Sequence, residues 1–495
     1  MTLQSRLMVR CQKGYEQPVS AICQRWTTLM GAHAFDDAPE TAFADRVMDR
    51  VEAGDLSGDA QRHILGDLLS LSAWCGFEIS ADIHRRVGLG LRRILYEDVR
   101  QHGLVQPEPQ RPKIHSLFAG QFLAPQHSPT RGMVDYSLAL LADPEVERLD
   151  IYHIGVPHPV IMDYMRQKLG PAGDRVVLVP VETLGQIVGT VAARGPSIVH
   201  FWCEHAMMPQ LSFLATFAPT VMFVCADAPP YQYADVYWFF RDTAYIEAAW
   251  AKKGVPDAFI ANYIACPNGP NTSERRAQAP RSKADLGLTP DDVVLATVGN
   301  RLAIEMDQAF IAGLEPVLRS HPQTVWLIVG SLPDNIVDAC RRVLGRQFAH
   351  IPYEKKLNAL LGACDVFINP FRAGGGDSAA MAMANGAIVL TRGDFGDVAG
   401  LTPSVHHAQD ADAYFAKLVE LIENPALRDQ WRVVQTDHAD RMSDQAAFTQ
   451  SLRHMSDLAC ARYRQRFGRP IEMLFDAPLV QSPDSQALSG KALSA

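Results

Sequence analysis

The chain has 495 residues, 47% of them hydrophobic and 20% charged, with a formal net charge of −9. That length calls for more than one domain, and the charge balance offers no basic surplus for binding nucleic acid. No apolar run reaches the length of a membrane span, and MTLQSRLMVRCQKGYEQ at the start lacks the apolar core of a secretory signal. The nine cysteines, at 11, 23, 75, 203, 225, 266, 340, 364 and 460, form no close pair. Their scatter argues against zinc and fits reduced thiols in a cytoplasmic protein.

Residues 1–110 are predicted to form a helical N-terminal domain. In QRHILGDLLSLSAWCGF, Leu65, Leu68, Leu69 and Leu71 mark one face, and further on Ile83, Val87 and Ile94 recur at helical spacing. No regular repeat supports a tandem helical array. From residue 111 the pattern changes. IHSLFAG, LDIYHIGV, VVLVPV, SIVHFW and TVMFVCAD are short apolar runs, several of them separated by helix-length segments. Such alternation predicts a parallel sheet covered on both faces, here a first Rossmann-like domain over 111–270. The segment YQYADVYWFFRD, 231–242, is dense in aromatics. It reads as helix packing against the core, with a stacking platform for an acceptor as the alternative. The polar stretch 267–292 reads as an interdomain linker. VVLATVG, TVWLIVG, QFAHIP, DVFINP and AIVLTRG then restart the alternation. They predict a second Rossmann-like domain over 271–475 that includes C-terminal helices. Residues 476–495 read as a disordered tail.

Ligands of doubly wound sheets bind beyond the carboxyl ends of the strands, so chemistry is sought in strand-end loops. The sequence GGGDS, residues 374–378, follows the strand around Phe367 and precedes an Ala/Met-rich segment. Gly374, Gly375 and Gly376 let backbone N–H groups approach a ligand, and a helix start adds donors and partial positive charge. Together they suit a phosphate. Arg372 would add charge and Ser378 a hydroxyl. Asp377 repels a diphosphate, and either caps the helix or accepts sugar hydroxyls. A flexible turn with a capping Asp is the plain structural alternative.

NPFRAGGGDSAAMAMANGAIVLTRGDFGDVA resembles the donor-nucleotide region of GT-B glycosyltransferases. The resemblance, over about residues 113–460, implies two Rossmann-like domains facing a cleft, with the acceptor side first and the nucleotide-sugar side second. A retaining branch of that fold carries two glutamates at positions matched here by Ala373 and Met381, so an inverting reaction is expected. That branch also has a basic pair, of which GNRLAIEMD retains Arg301, while Glu305 or Met306 stands at the lysine position. Arg301 is the candidate for neutralising the diphosphate; the alternative is a surface arginine at a strand end.

QHSPTRG, 126–132, resembles the His-Pro-Thr loop of the O-GlcNAc transferase family, with Ser128 inserted between His127 and Pro129. The helical first domain resembles that of the family's bacterial adhesin-modifying members. His127 would act near the anomeric carbon, as base or as donor to a phosphate. Pro129, Thr130 and Arg131 follow it. Glu204, His205 and Asp227 follow other strands of the first domain and are alternative bases. No Asp-x-Asp motif lies in a suitable loop, so no metal is expected.

The expected activity is metal-independent transfer of glucose or N-acetylglucosamine from a UDP-linked donor to a protein acceptor, with no further cofactor. Two alternatives stay open: a surface-polysaccharide glycosyltransferase, and a degenerate GT-B protein serving as the non-catalytic partner of an active transferase.

Overall fold

The computed structural model describes residues 2–466 apart from 12–15, 32–34, 36–38, 76, 78, 81, 84–85, 88–89, 91–93, 95–112, 119–127, 155–158, 182–189, 192–193, 195–196, 203–213, 216–217, 225–232, 253–254, 256, 267–278, 300–301, 307, 373 and 394–395. Helices Leu3–Arg10, Glu16–Met30, Glu40–Glu52 and Gly58–Cys75 form the N-terminal unit. Its centre is aromatic, with Trp26 tilted on Phe43 at 5.1 Å and Phe35 stacked on Phe43 at 5.2 Å. Leu65, Leu68, Leu71, Ile83 and Val87 are fully buried, as their spacing predicts.

The first sheet has seven strands: β1 Ile114–Phe118, β2 Arg148–Ile154, β3 Val176–Val181, β4 Ser197–Phe201, β5 Thr220–Phe223, β6 Val236–Phe239 and β7 Tyr263–Ala265. All pair in parallel, in the order β3-β2-β1-β4-β5-β6-β7. The order reverses between β1 and β4, where a doubly wound sheet opens a crevice. Phe118, Tyr152, Phe201 and Tyr237 belong to an apolar cluster continuous with the N-terminal helices. Leu117, Ile151, Ile198 and Trp238 pack into a second cluster with residues of helices Ser128–Ala142 and Pro159–Leu169. Burial on both faces explains why these strands read as unbroken apolar runs.

Two expectations change here. The aromatic segment holds a strand, β6, whose Val236, Tyr237, Trp238 and Phe239 are all buried, so it is neither a packed helix nor a stacking platform. The alternation of its rings between the two apolar clusters follows from the two-residue period of a strand. The other change concerns helix Gln445–Arg466, which the sequence groups with the second domain. Phe448, Leu452, Met455 and Ala459 pack into the first sheet's cluster instead. Arg466 clamps Asp235 with two bonds of 2.6 Å, and Arg462 donates to the Asp235 carbonyl at 2.8 Å. Burial opposes the Arg466 charge, but the Asp235 carboxylate more than offsets it and holds the guanidinium above its ordinary pKa.

The second sheet contains β8 Val293–Val298, β9 Thr324–Val329, β10 Phe348–Ile351, β11 Val366–Ile368, β12 Ile388–Arg392 and β13 His407–Ala408. It is parallel, in the order β10-β9-β8-β11-β12-β13, with its reversal between β8 and β11. Asn424 caps helix Pro425–Met442, its side-chain oxygen accepting from Leu427 N–H, with Pro425 at the first helical position. Among the described residues, no helix is long and apolar enough to cross a membrane.

Candidate functional site

At the reversal of the second sheet, β8 and β11 end side by side. β11 runs into Asn369 and then into the glycine loop before helix Gly376–Ala384. Each backbone here is packed as close as glycine allows. Gly375 caps that helix in the left-handed region, at φ +106°, and a Cβ on it would stand 2.7 Å from Arg372 Nη2 and 2.8 Å from Asn369 Oδ1. A Cβ on Gly376 would stand 2.7 Å from Leu401 Cδ1. A Cβ on Gly299, at the end of β8, would stand 2.4 Å from Arg372 Nη1. The run of glycines therefore answers two demands: a positive φ at Gly375, and close passage of helix Gly376–Ala384 beside helix Gly396–Leu401.

Arg372 lies behind this loop with 6% of its surface exposed. Its Nε donates to Asn369 Oδ1 at 2.9 Å, Nη1 to Glu305 at 2.8 Å, and Nη2 to the Val298 carbonyl at 2.7 Å. The guanidinium thus braces β8, β11 and the short helix Leu302–Glu305 against one another. Glu305, which with Met306 is one of two positions where the resemblance would place a lysine, has its carboxylate turned to Arg372.

Asp377 lies in the first turn of helix Gly376–Ala384, whose N-cap residue is Gly375. Its carboxylate accepts from Arg131 Nη2 in the first turn of helix Ser128–Ala142, 246 residues away in sequence. Arg131 is 32% exposed and Asp377 24%. The start of the helix that follows β1 therefore meets the start of the helix that follows β11. Ser378 and Gly374 are half-buried beside this contact. Met381 is buried in the helix core, as a residue without a polar group should be.

The two sheets meet at a second point. Arg241, just beyond β6, donates to the Gly393 carbonyl, just beyond β12, at 3.2 Å. Its guanidinium lies 3.8 Å from the centre of the Tyr245 ring, and its methylenes fill the space where a Gly400 Cβ would stand, 3.2 Å away. Beside it, burial and the nearby Arg241 charge push His407 down to about 4. Burial and His438 do the same to His406, which stacks on Trp431 at 3.9 Å.

His127, Glu204, His205, Asp227 and Arg301 lie outside the described residues. So does Ala373. Of the residues singled out in sequence, the structure brings together Arg131, Arg372, Gly374, Gly375, Gly376, Asp377 and Ser378. Sequence reasoning missed the two interdomain contacts and the partner of Glu305. No local signal announces them, because each joins segments far apart in the chain. Among the described residues, no group of three or more His, Cys, Asp or Glu side chains could hold a metal ion.

Comparison with solved structures finds likenesses of fold at low identity. A mutant of the O-GlcNAc transferase of Thermobaculum terrenum aligns at a TM-score of 0.54 and 15% identity, over 91% of this chain and 90% of that one. A glycosyltransferase from Rickettsia africae aligns at 0.46 and 10% identity, over 72% of this chain and 99% of that one. The UDP-GlcNAc 2-epimerase of Neisseria meningitidis, solved with UDP-GlcNAc bound, aligns at 0.44 and 10% identity, over 69% and 98%. No family model matches the chain, and no curated protein does. Two doubly wound parallel sheets whose strand-end segments meet are the GT-B architecture, and the chain has that fold.

Proposed function

We propose that the chain is a GT-B glycosyltransferase that moves glucose or N-acetylglucosamine from a UDP-linked donor to a protein acceptor, with inversion. The observation that carries this reading is the loop 374–378. It sits at the reversal point of the second sheet, packed to the limit around Gly375, and opens a helix whose first N–H groups lie outside the intrahelical ladder. A diphosphate suits such a place, and Arg301 on the segment leaving β8 would neutralise it. Arg372 serves that seat by holding the loop, since its own charge is turned to Glu305. His127, on the segment leaving β1, would take the acceptor proton; Glu204 and Asp227 are the other bases to test. Inversion is supported by apolar Met381 and Ala373, where the retaining branch would carry carboxylates. A protein acceptor is suggested by the resemblance of 126–132 to the O-GlcNAc transferase family's loop and by the helical unit in front of the first sheet.

The test is calorimetric binding of UDP, GDP and UDP-sugars, each with and without EDTA, to the wild type and to Arg301→Ala. The reading expects UDP binding that survives EDTA and weakens in the variant, followed by loss of transfer in His127→Ala. A folded protein that binds no nucleotide would overturn it and leave the non-catalytic partner as the better reading.

A further inference from the structure

The two contacts across the cleft differ in kind. The Arg131–Asp377 pair is partly hydrated on both sides and joins two side chains that each end in a flexible, charged group. The Arg241 contact is 95% buried on the arginine side, as its 5% exposure gives, and combines a bond to backbone with packing of Phe239 and the Arg241 methylenes around Gly400. The carbonyl of Arg241 is held in turn by the Tyr263 hydroxyl, which donates to it at 2.7 Å. A hydrated ion pair separates at small cost because water and salt replace each partner. A buried contact built on packing has no such substitute.

We propose that Arg131–Asp377 is a latch, and the Arg241 contact the pivot, of a hinge between the two sheets. Parting Arg131 from Asp377 opens the cleft beside the glycine loop, while Arg241 remains seated between Gly393 and Gly400. The hinge itself does not depend on what the cleft binds; its bearing on donor entry rests on the function proposed above. In that setting, an anion arriving at the first turn of helix Gly376–Ala384 competes with Asp377 for Arg131, so entry and unlatching are one event.

Small-angle X-ray scattering of the full nucleotide-free chain at rising salt tests the hinge. The wild type should expand as salt screens the pair. Arg131→Gln and Asp377→Asn should be expanded at low salt and respond little to more, each moving the open-to-shut ratio by about two- to fivefold, as for a partly exposed pair. The double exchange Arg131→Asp/Asp377→Arg should recover compactness and salt response, which a merely misfolded variant would not. Scattering from Arg131→Gln that matches the wild type at every salt concentration overturns the latch. So does a double exchange that stays expanded. Association of UDP, followed by stopped flow, adds the functional arm, with a faster on-rate expected in Asp377→Asn, which opens the latch and leaves Arg131 for the anion. If the scattering behaves as described and no nucleotide binds, the latch stands and the donor reading falls. If UDP binds and the scattering is indifferent, the latch falls alone.

Discussion

At Gly375 a positive φ and two polar neighbours leave no room for a Cβ. Gly375→Ala should therefore cost about 1–3 kcal/mol, the range for a strained backbone site, and should weaken nucleotide binding more than its loss of stability alone explains. Denaturant unfolding with calorimetry on the same sample checks both. The neighbouring brace has its own consequence. Removing Glu305 leaves the Arg372 charge buried with only neutral acceptors, Asn369 and the Val298 carbonyl, among its bonds described above. Glu305→Ala should destabilise by about 3 kcal/mol, the lower end for breaking a buried pair, and a midpoint unchanged from wild type would refute the brace. The glycine loop was legible in sequence because its chemistry is local: three glycines between an apolar strand and a helix former. The work of Arg372 was not legible, because a sequence shows a cation but not which carboxylate the fold turns toward it.

The helix Gln445–Arg466 is the element whose place matters most. It leaves the second sheet and closes one face of the first, with Asp235 and Arg466 both nearly inaccessible. Asp235→Ala should cost about 3–5 kcal/mol by stranding Arg466. Replacing both together, as Asp235→Leu with Arg466→Met, should recover most of that loss, because two desolvated charges are exchanged for apolar contact. Thermal melts of the three variants read the comparison, and a double variant as weak as the single one would show that packing rather than charge holds the helix. The strands β1 to β5 and β8 to β12 stand out in sequence through burial on both faces. β6 does not, because its short aromatic run fits a packed helix as well as a strand, and β7 and β13 do not, because they are three and two residues long at the sheet edges.

For the whole molecule, the junction near β13 carries a pH dependence. His406 and His407 are held near 4 by burial, with His438 and Arg241 adding to it, and His438 is lowered by burial and by Arg441. The unfolded chain binds protons at these histidines below about 6.5. Between that value and about 4 it holds more protons than the folded chain, so stability falls as pH falls through this window. Above about 6.5 their contribution is complete and flat. Unfolding midpoints from pH 8 to pH 4 should drop with a slope that His407→Gln reduces, since glutamine carries no charge to expel. A slope unchanged in that variant would remove His407 from the account.

Taken alone, the sequence determined what periodicity and composition can carry: a helical leading unit, two parallel sheets, and a glycine loop at a strand end. These follow from local rules, namely strand burial, helical spacing and the freedom of glycine at positive φ. Only the tertiary structure decided which charges meet. Arg131 with Asp377, Arg372 with Glu305, Arg466 with Asp235 and Arg241 with the Gly393 carbonyl each join segments more than 60 residues apart, as their separations of 246, 67, 231 and 152 show. A charged side chain is compatible with solvent or with any opposite partner. The choice is made where the chain's path brings two of them together out of water.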